Sequence, residues 1–291
     1  MLKTPKTTAL AAKNRKPAAG RVFAPQVVVA GVLLIVIAAY ALLTPLLSDA
    51  DLVLTDFANA GTAPGSEYLF GTDSKGHDVF LRVAAGMRIS LFIAIVTAVF
   101  SAIVGVILGV VAGTMGGRVD RIIMRGADVT NALPHLLLGL LIVSLFRGSI
   151  TAIIASLVLT HWVTITRTVR AAVLHLRSAE FVEAAYLSGL PRIRIMFLHV
   201  VPAALGQALV GLILLIPHAI WHESTLSFLG VGLPPHKPSL GTLLADAEGA
   251  LLLGHWWILV FPSFFLVATT LCIATIGNHL KNRMIGQEVL V

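Results

Sequence analysis

Charged side chains are scarce in this 291-residue sequence: Asp, Glu, Lys and Arg together make up 12%, about half of the ~25% typical of a soluble domain. With 57% hydrophobic residues, too little polar surface remains to keep a chain dissolved, so an ordinary soluble enzyme is excluded and lipid is the expected solvent. Cysteine is nearly absent. The single Cys272 sits inside an apolar run, which leaves neither a disulfide framework nor a cysteine metal cluster. No Gly-x-x-x-x-Gly-Lys-[Ser/Thr] string occurs, so the phosphate-cradling loop of an ATP-driven machine must lie on another polypeptide. Basic residues exceed acidic ones, 21 against 14, yet they are not interleaved with aromatics as a nucleic-acid surface requires. They fall between apolar runs, where they report topology.

What is present is a series of six apolar segments, each near the 17 to 25 residues that cross a hydrocarbon core of roughly 30 Å as a helix. They run from Val27 to Leu47, Ile89 to Gly113, Val129 to Phe146, Ile150 to Thr166, Ala203 to His222 and Trp256 to Gly277. None contains Asp, Glu, Lys or Arg, and no inverted repeat is evident, which argues against an ion-coupled transporter. The expected fold is an all-α membrane protein with six transmembrane helices. The first run is too long for a signal-peptide core and lacks a small-residue cleavage pattern, so it is expected to remain as an anchor. Pro134 and His135 in the third span and His161 in the fourth predict tilt, a kink or protein shielding there. Gly105, Gly109 and Gly113 place a smooth stripe on the second span, suited to close helix packing. The paired Trp256 and Trp257 are expected at an interface level.

Placing both termini in the cytoplasm puts 16 basic residues inside: Lys3, Lys6, Lys13, Arg15, Lys16, Arg21, Arg118, Arg121, Arg125, Arg167, Arg170, Arg177, Arg192, Arg194, Lys281 and Arg283. Five remain outside: Lys75, Arg82, Arg88, Arg147 and Lys237. The positive-inside bias therefore selects this orientation. The expected organisation is a basic tail over 1–24, a first span and outer segment over 25–88, a membrane core over 89–283 and a short tail over 284–291. The second outer segment, Glu223 to His255, carries the helix-breaking apolar run Phe228 to Pro235. Such backbone suits a re-entrant or surface-lying piece that protein or water must cover.

The connection 167–202 is far longer than a turn needs. From Ser178 the pattern offers a capping Ser, then Glu180 and Glu183 in the first turns and good helix formers up to Gly189. Pro191 can open a second helix in which Ile193, Met196, Phe197 and Val200 form an apolar face. A short helix pair exposing Ala, Tyr and Leu leaves apolar surface that a docking partner must cover.

Glu183-Ala184-Ala185, then Gly189, then Pro202 thirteen positions later resemble the coupling loop of ABC importer permeases. Two further strings resemble the dipeptide, oligopeptide and nickel branch: Gly71-Thr72-Asp73-Ser74-Lys75-Gly76-His77-Asp78, with Arg88-Ile89-Ser90-Leu91 after it, and Leu226-Ser227-Phe228-Leu229-Gly230-Val231-Gly232. Where that family commonly has Arg in the first string, this chain has His77. The resemblance covers about Phe70 to Arg283. It implies a type I ABC importer permease fold with a cytoplasmic coupling helix pair, in a bacterial inner membrane. It also implies a second permease, two ATPase subunits holding ATP and Mg2+, and an extracytoplasmic substrate-binding protein, with no cofactor on this chain and no catalytic residue of its own.

Cargo is read from Pro217-His218-Ala219-Ile220-Trp221-His222-Glu223. Histidines at i and i+4 share a helix face beside a carboxylate, a spacing that can hold a borderline metal ion. Two ligands and one carboxylate do not close a site, and no metal is firmly assigned. His135 and His161 lie on separate helices of unknown facing and are read as structural. The relatives with apolar or small residues at these positions carry peptides, so the expectation is uptake of nickel or a related metal chelate, with dipeptide or oligopeptide import as the alternative. A membrane enzyme built on His218, His222 and Glu223 would leave the 183–202 element without a use.

Overall fold

The computed structural model describes residues 25–48 and 54–288. The basic tail expected over 1–24 lies outside the described residues. Among those described, ten α-helices succeed one another: α1 Pro25–Leu47, α2 Val79–Met115, α3 Gly117–Ala132, α4 His135–Leu145, α5 Ile150–Arg177, α6 Glu180–Leu187, α7 Arg192–Ile195, α8 Val201–Phe228, α9 Leu240–Leu252 and α10 Trp257–Glu288. Five of them, α1, α2, α5, α8 and α10, are long and apolar enough to cross a membrane, and α3 with α4 makes a sixth if counted as one bent span.

The third span differs from the straight helix over Val129 to Phe146. The chain breaks at Leu133 and Pro134, and α3 and α4 meet at 83°. Proline disfavours the helical region for the residue before it, and Leu133 is accordingly extended at φ −79° and ψ 136°. The 11 residues of α4 reach only ~16 Å at 1.5 Å per residue, about half of the apolar core. α3 is amphipathic and held to the lower part of α5 by ion pairs. Arg170 donates twice to Asp120, at 2.5 and 2.6 Å, and Arg167 donates to Asp128 at 2.6 Å. These pairs let α5 continue as helix beyond Thr166, where its apolar run ends.

α2 also outruns its expected bounds, starting ten residues before Ile89, at Val79. Asp78 caps it by accepting from the Phe80 amide at 2.7 Å. Its glycine stripe faces α5. A Cβ on Gly105 would meet Ile165 at 2.7 Å, one on Gly109 the Thr166 carbonyl and Val169 at 2.8 Å, and one on Gly113 Val173 at 2.6 Å. Arg177 closes the end of this seam by donating to the Gly113 carbonyl at 2.8 Å.

α1 packs through Ala30, Leu34, Ile37, Tyr40 and Ala41 and leaves most of its apolar side chains on the surface, as a lipid-facing helix does. The Tyr40 hydroxyl donates to the Phe80 carbonyl at 2.6 Å, and its ring stacks on Phe265 at 4.9 Å. α9 is a 13-residue helix, too short to cross, lying against α2, α8 and α10. Of the two tryptophans expected at an interface, Trp256 is exposed while Trp257 is buried, its indole N–H donating to the Thr72 carbonyl at 2.9 Å.

Replacing Gly109 by Ala must push backbone at Thr166 as well as Val169, and overpacking of this kind costs about 1–3 kcal/mol. The Gly109→Ala variant is therefore expected to melt at a lower temperature in detergent. Gly31→Ala, on a helix face with nothing within 4 Å, is expected to leave the midpoint unchanged or slightly raised.

Candidate transport path and coupling surface

Three sites carry the residues singled out by sequence ahead of and within the spans. The first lies before α2, where the Gly71 to Asp78 string is wound around one carboxylate. Asp73 Oδ1 accepts from the Lys75 and His77 amides at 2.8 and 2.9 Å. Oδ2 takes the His77 Nδ1–H at 2.8 Å and the Arg82 guanidinium. Arg82 also donates to the Pro235 carbonyl at 3.2 Å and pairs with Asp246 at 3.3 Å. The loop before α2, the turn before α9 and α9 itself are thereby clipped together. Gly76 sits at φ +82° against the Asp56 carbonyl, a place only glycine can occupy. His77 thus adds a donor to the carboxylate rather than the guanidinium, which Arg82 supplies. Thr72 locks the loop start, donating to the Asn59 carbonyl at 2.5 Å and accepting from the Thr62 amide at 2.8 Å. Burial pushes the Asp73 carboxyl up, but His77, Arg82 and the two amides outweigh it and hold the group below the ordinary carboxylate range.

The second site is Glu223. Its side chain is completely buried, with Oε2 accepting from Ser90 at 2.7 Å and Oε1 from Ser227 at 2.8 Å. Each hydroxyl in turn accepts an amide, Ser90 that of Leu240 at 3.2 Å and Ser227 that of Leu233 at 3.3 Å. Glu223 therefore joins α2, α8 and the start of α9, and does not line the space that His218 and His222 face. The reason is helical phase: one residue beyond His222 the side chain has turned by ~100°, away from the histidine face. The Leu226 to Gly232 string is the end of α8 folding back. The Val231 and Gly232 amides both donate to the Leu226 carbonyl, at 3.3 and 3.0 Å. Only part of the helix-breaking run is covered by protein: Gly232 and Leu233 are buried, while Phe228, Leu229, Gly230 and Pro235 are exposed.

The third site is a cavity of about 400 Å3 between α4, α5, α8 and α10, lined by His135, Thr160, His161, Thr164, Gln207, His218, His222 and Lys281 among others. The His161 ring stands 4.9 Å from that of His222 and 5.9 Å from that of His135. His161 is buried, and its Nδ1 lies 2.8 Å from the Leu157 carbonyl, the acceptor to which its N–H donates. His135 and His161, read from sequence as structural, thus stand with His218 and His222 in one space. The signal that could have found them is general: polar groups inside spans face protein or water rather than lipid. Among the described residues, no three His, Cys, Asp or Glu side chains are arranged to hold a metal ion.

At the far end of α5 lies the segment that resembles a coupling loop in sequence. Val182 and Ala185 of α6 are buried against Val169, Val173, Ile195 and Val200, while Glu183, Ala184 and Leu187 face outward, Leu187 at 90% exposure. Gly189 ends the element at φ +77° in open space, and Pro202 is exposed in the first turn of α8. Two details differ from expectation. Ser178 does not cap α6; it ends α5, its hydroxyl donating to the His175 carbonyl at 2.9 Å. The helix after Pro191 is not separate: α7 runs through a π-helical turn, Met196–Val200, into α8. That wider turn shifts the register, so Ile195 and Val200 are buried while Phe197 is exposed.

Long apolar helices around a polar cavity, with a short helix seated at one end, define a multi-span membrane permease. The chain belongs to the family described as binding-protein-dependent transport system inner membrane component, whose model matches residues 105–286. It is 40% identical over 255 residues to the oligopeptide transport system permease protein OppC of Escherichia coli K12, covering 87% of this chain and 84% of that one. It is 36% identical over 244 residues to the dipeptide transport system permease protein DppC of Bacillus subtilis, covering 84% and 76%. Among solved structures, an amino acid ABC transporter crystallised with histidines shares the fold, with a TM-score of 0.53, 16% identity and coverage of 69% of this chain and 94% of that one. The expected nickel or metal-chelate cargo is overturned: these relatives are named for peptides, and Glu223 lies outside the histidine cavity.

Because the Asp73 carboxyl is held below its unfolded value, the stability it lends is present above the ordinary carboxylate range and lost as pH falls through the lower folded value. Proteolysis or hydrogen exchange of the 54–78 segment is expected to rise on acidification below about pH 4. An Asp73→Asn variant is expected to show faster exchange at neutral pH and a flatter acid limb.

Proposed function

We propose that the chain is a permease subunit of an ATP-driven ABC importer and forms half of the translocation path for peptides. The similarity to oligopeptide and dipeptide permeases along more than four fifths of the chain carries this reading. The partners are a second, similar permease, two ATPase subunits that bind ATP and Mg2+, and a substrate-binding protein on the outer side. Both termini are cytoplasmic, as the distribution of Lys and Arg favours. The ATPases then dock on Glu183 to Gly189 and the substrate-binding protein meets the Asp73 and Arg82 side.

Mechanically, the outward face of α6, with Ala184 and Leu187, is the surface an ATPase covers. The inward face, Val182 and Ala185, is packed on the base of α5 and on Ile195 and Val200 ahead of α8. Motion of a docked ATPase therefore reaches α5 and α8 together as a rigid-body tilt. Those two helices carry His161, His218 and His222, so the tilt changes access to the polar cavity.

Deletion of the gene in a strain carrying the whole transport system is expected to abolish uptake of labelled oligopeptide or dipeptide and to leave nickel uptake unchanged. Peptide uptake that persists at the full rate would sink the assignment. Gly189→Leu forces a side chain into left-handed backbone at about 1–2 kcal/mol and alters the edge of the docking surface. Membrane insertion is expected to be normal, with peptide transport lost and ATP hydrolysis no longer stimulated by loaded binding protein.

A further inference from the structure

We propose that Glu223 is a positioning residue of the transport cycle. It fixes α9 and the turn before it to α2 and α8, so that a tilt delivered at the coupling segment reaches the surface that meets the substrate-binding protein. The proposal rests on the importer reading and on the two docking sides given with it.

The two surfaces lie at opposite ends of the same helices. α5 seats α6 through Val169 and Val173 and begins at Ile150, and its 28 residues span ~42 Å. Along that length α2 follows α5 without room to slide, because Gly105, Gly109 and Gly113 lie against Ile165, Val169 and Val173. α8 shares the same apolar cluster through Ala204, Ala208 and Leu215. α9 is different. With 13 residues it does not reach the coupling segment, and it can follow the others only through its contacts with α2, α8 and α10.

Those contacts are of two kinds. Leu240, Leu243, Ala247 and Ala250 join the apolar cluster of Val79, Val83 and Met87, and apolar faces permit the small sliding of a shear motion. The polar contacts fix direction. Glu223 takes the Ser90 hydroxyl of α2 and the Ser227 hydroxyl of α8, and these hydroxyls accept the Leu240 and Leu233 amides. One carboxylate thereby sets two hydroxyl rotors and, through them, both ends of the turn that leads from α8 into α9. Glu223 and Ser90 are inaccessible to solvent, so no exchange with water loosens the junction. The backbones are close as well: a Cβ on Gly241 would meet the Ser224 carbonyl oxygen at 2.3 Å, and one on Gly86 the Ser239 carbonyl carbon at 3.1 Å. Arg82 carries the same placement onward, to the Pro235 carbonyl and to Asp246 of α9. Coupling of this kind is reciprocal: the state of the ATPases changes affinity for the binding protein by the factor with which the binding protein changes affinity for ATP.

The test uses the complete importer in lipid nanodiscs and its own substrate-binding protein, loaded with peptide. Affinity for the binding protein is measured with and without a nonhydrolysable ATP analogue, in the wild type and in Glu223→Ala, Glu223→Gln and Ser90→Ala. The ratio of the two affinities is the readout. In Glu223→Ala that ratio is expected to fall about tenfold toward one, with the nucleotide-free affinity unchanged. Ser90→Ala, which leaves the carboxylate its bond to Ser227, is expected to fall less, and Glu223→Gln, which keeps the shape and one acceptor oxygen, to recover part of the loss. If the ratio is unchanged in Glu223→Ala or Ser90→Ala, or does not respond to nucleotide in the wild type, the proposal is wrong. It is equally wrong if the ratio falls only together with the nucleotide-free affinity and the melting midpoint, or if no variant assembles, since Glu223 is then a folding residue alone. Peptide uptake by the wild type keeps the permease reading standing in each of these cases. If the wild-type complex neither binds the binding protein nor imports peptide, both readings fall.

Discussion

Inside a bilayer, helices gain nothing by hiding apolar side chains from lipid, so α2 and α5 must be held by close van der Waals contact, and Gly105, Gly109 and Gly113 permit it. The rest of the structure hangs on this seam. At one end of it, α2 carries Arg82 and Ser90 into the Asp73 clip and the Glu223 junction. Beside it, α5 presents His161 to the cavity. Below it, Arg177 ties α5 to the end of α2, and α5 leads directly into α6.

Two buried charged groups show how a chain so poor in charge uses the few it has. Arg82 and Glu223 are both nearly inaccessible, and each is surrounded by partners from sequence-distant elements. Taking such a group from water costs several kcal/mol unless its hydrogen-bonding capacity is met. That requirement makes the segments around them choose one arrangement. The loop before α2, the turn after α8 and α9 would otherwise be short apolar pieces with many ways to pack.

Much of this architecture is legible in the sequence. Apolar length locates the long helices, and the Glu183 to Pro202 spacing singles out the segment that seats α6 on α5. The glycine stripe announces close packing but cannot name α5, because the partner of a smooth face leaves no mark in the face itself. Pro134 warns of a kink, and the break it marks between α3 and α4 reaches 83°. The misreadings share a cause. His218, His222 and Glu223 look like neighbours because they are close in sequence, whereas facing is decided by helical phase and by which helix lies opposite. The same limit makes His135 and His161 look unrelated to the other two histidines. Their meeting with His218 and His222 depends on the crossing of three helices, which no local pattern encodes.

The π-helical turn at Met196–Val200 has a consequence for evolution as well as for mechanics. A π turn stores one surplus residue, and such a residue offsets the angular phase of the helix before it from that of the helix after it by roughly 100°. The coupling segment and the histidine-bearing helix are thus joined yet indexed separately. Gaining or losing one residue here would re-aim the outward face of α6, while the wall of α8 that lines the histidine cavity keeps its setting.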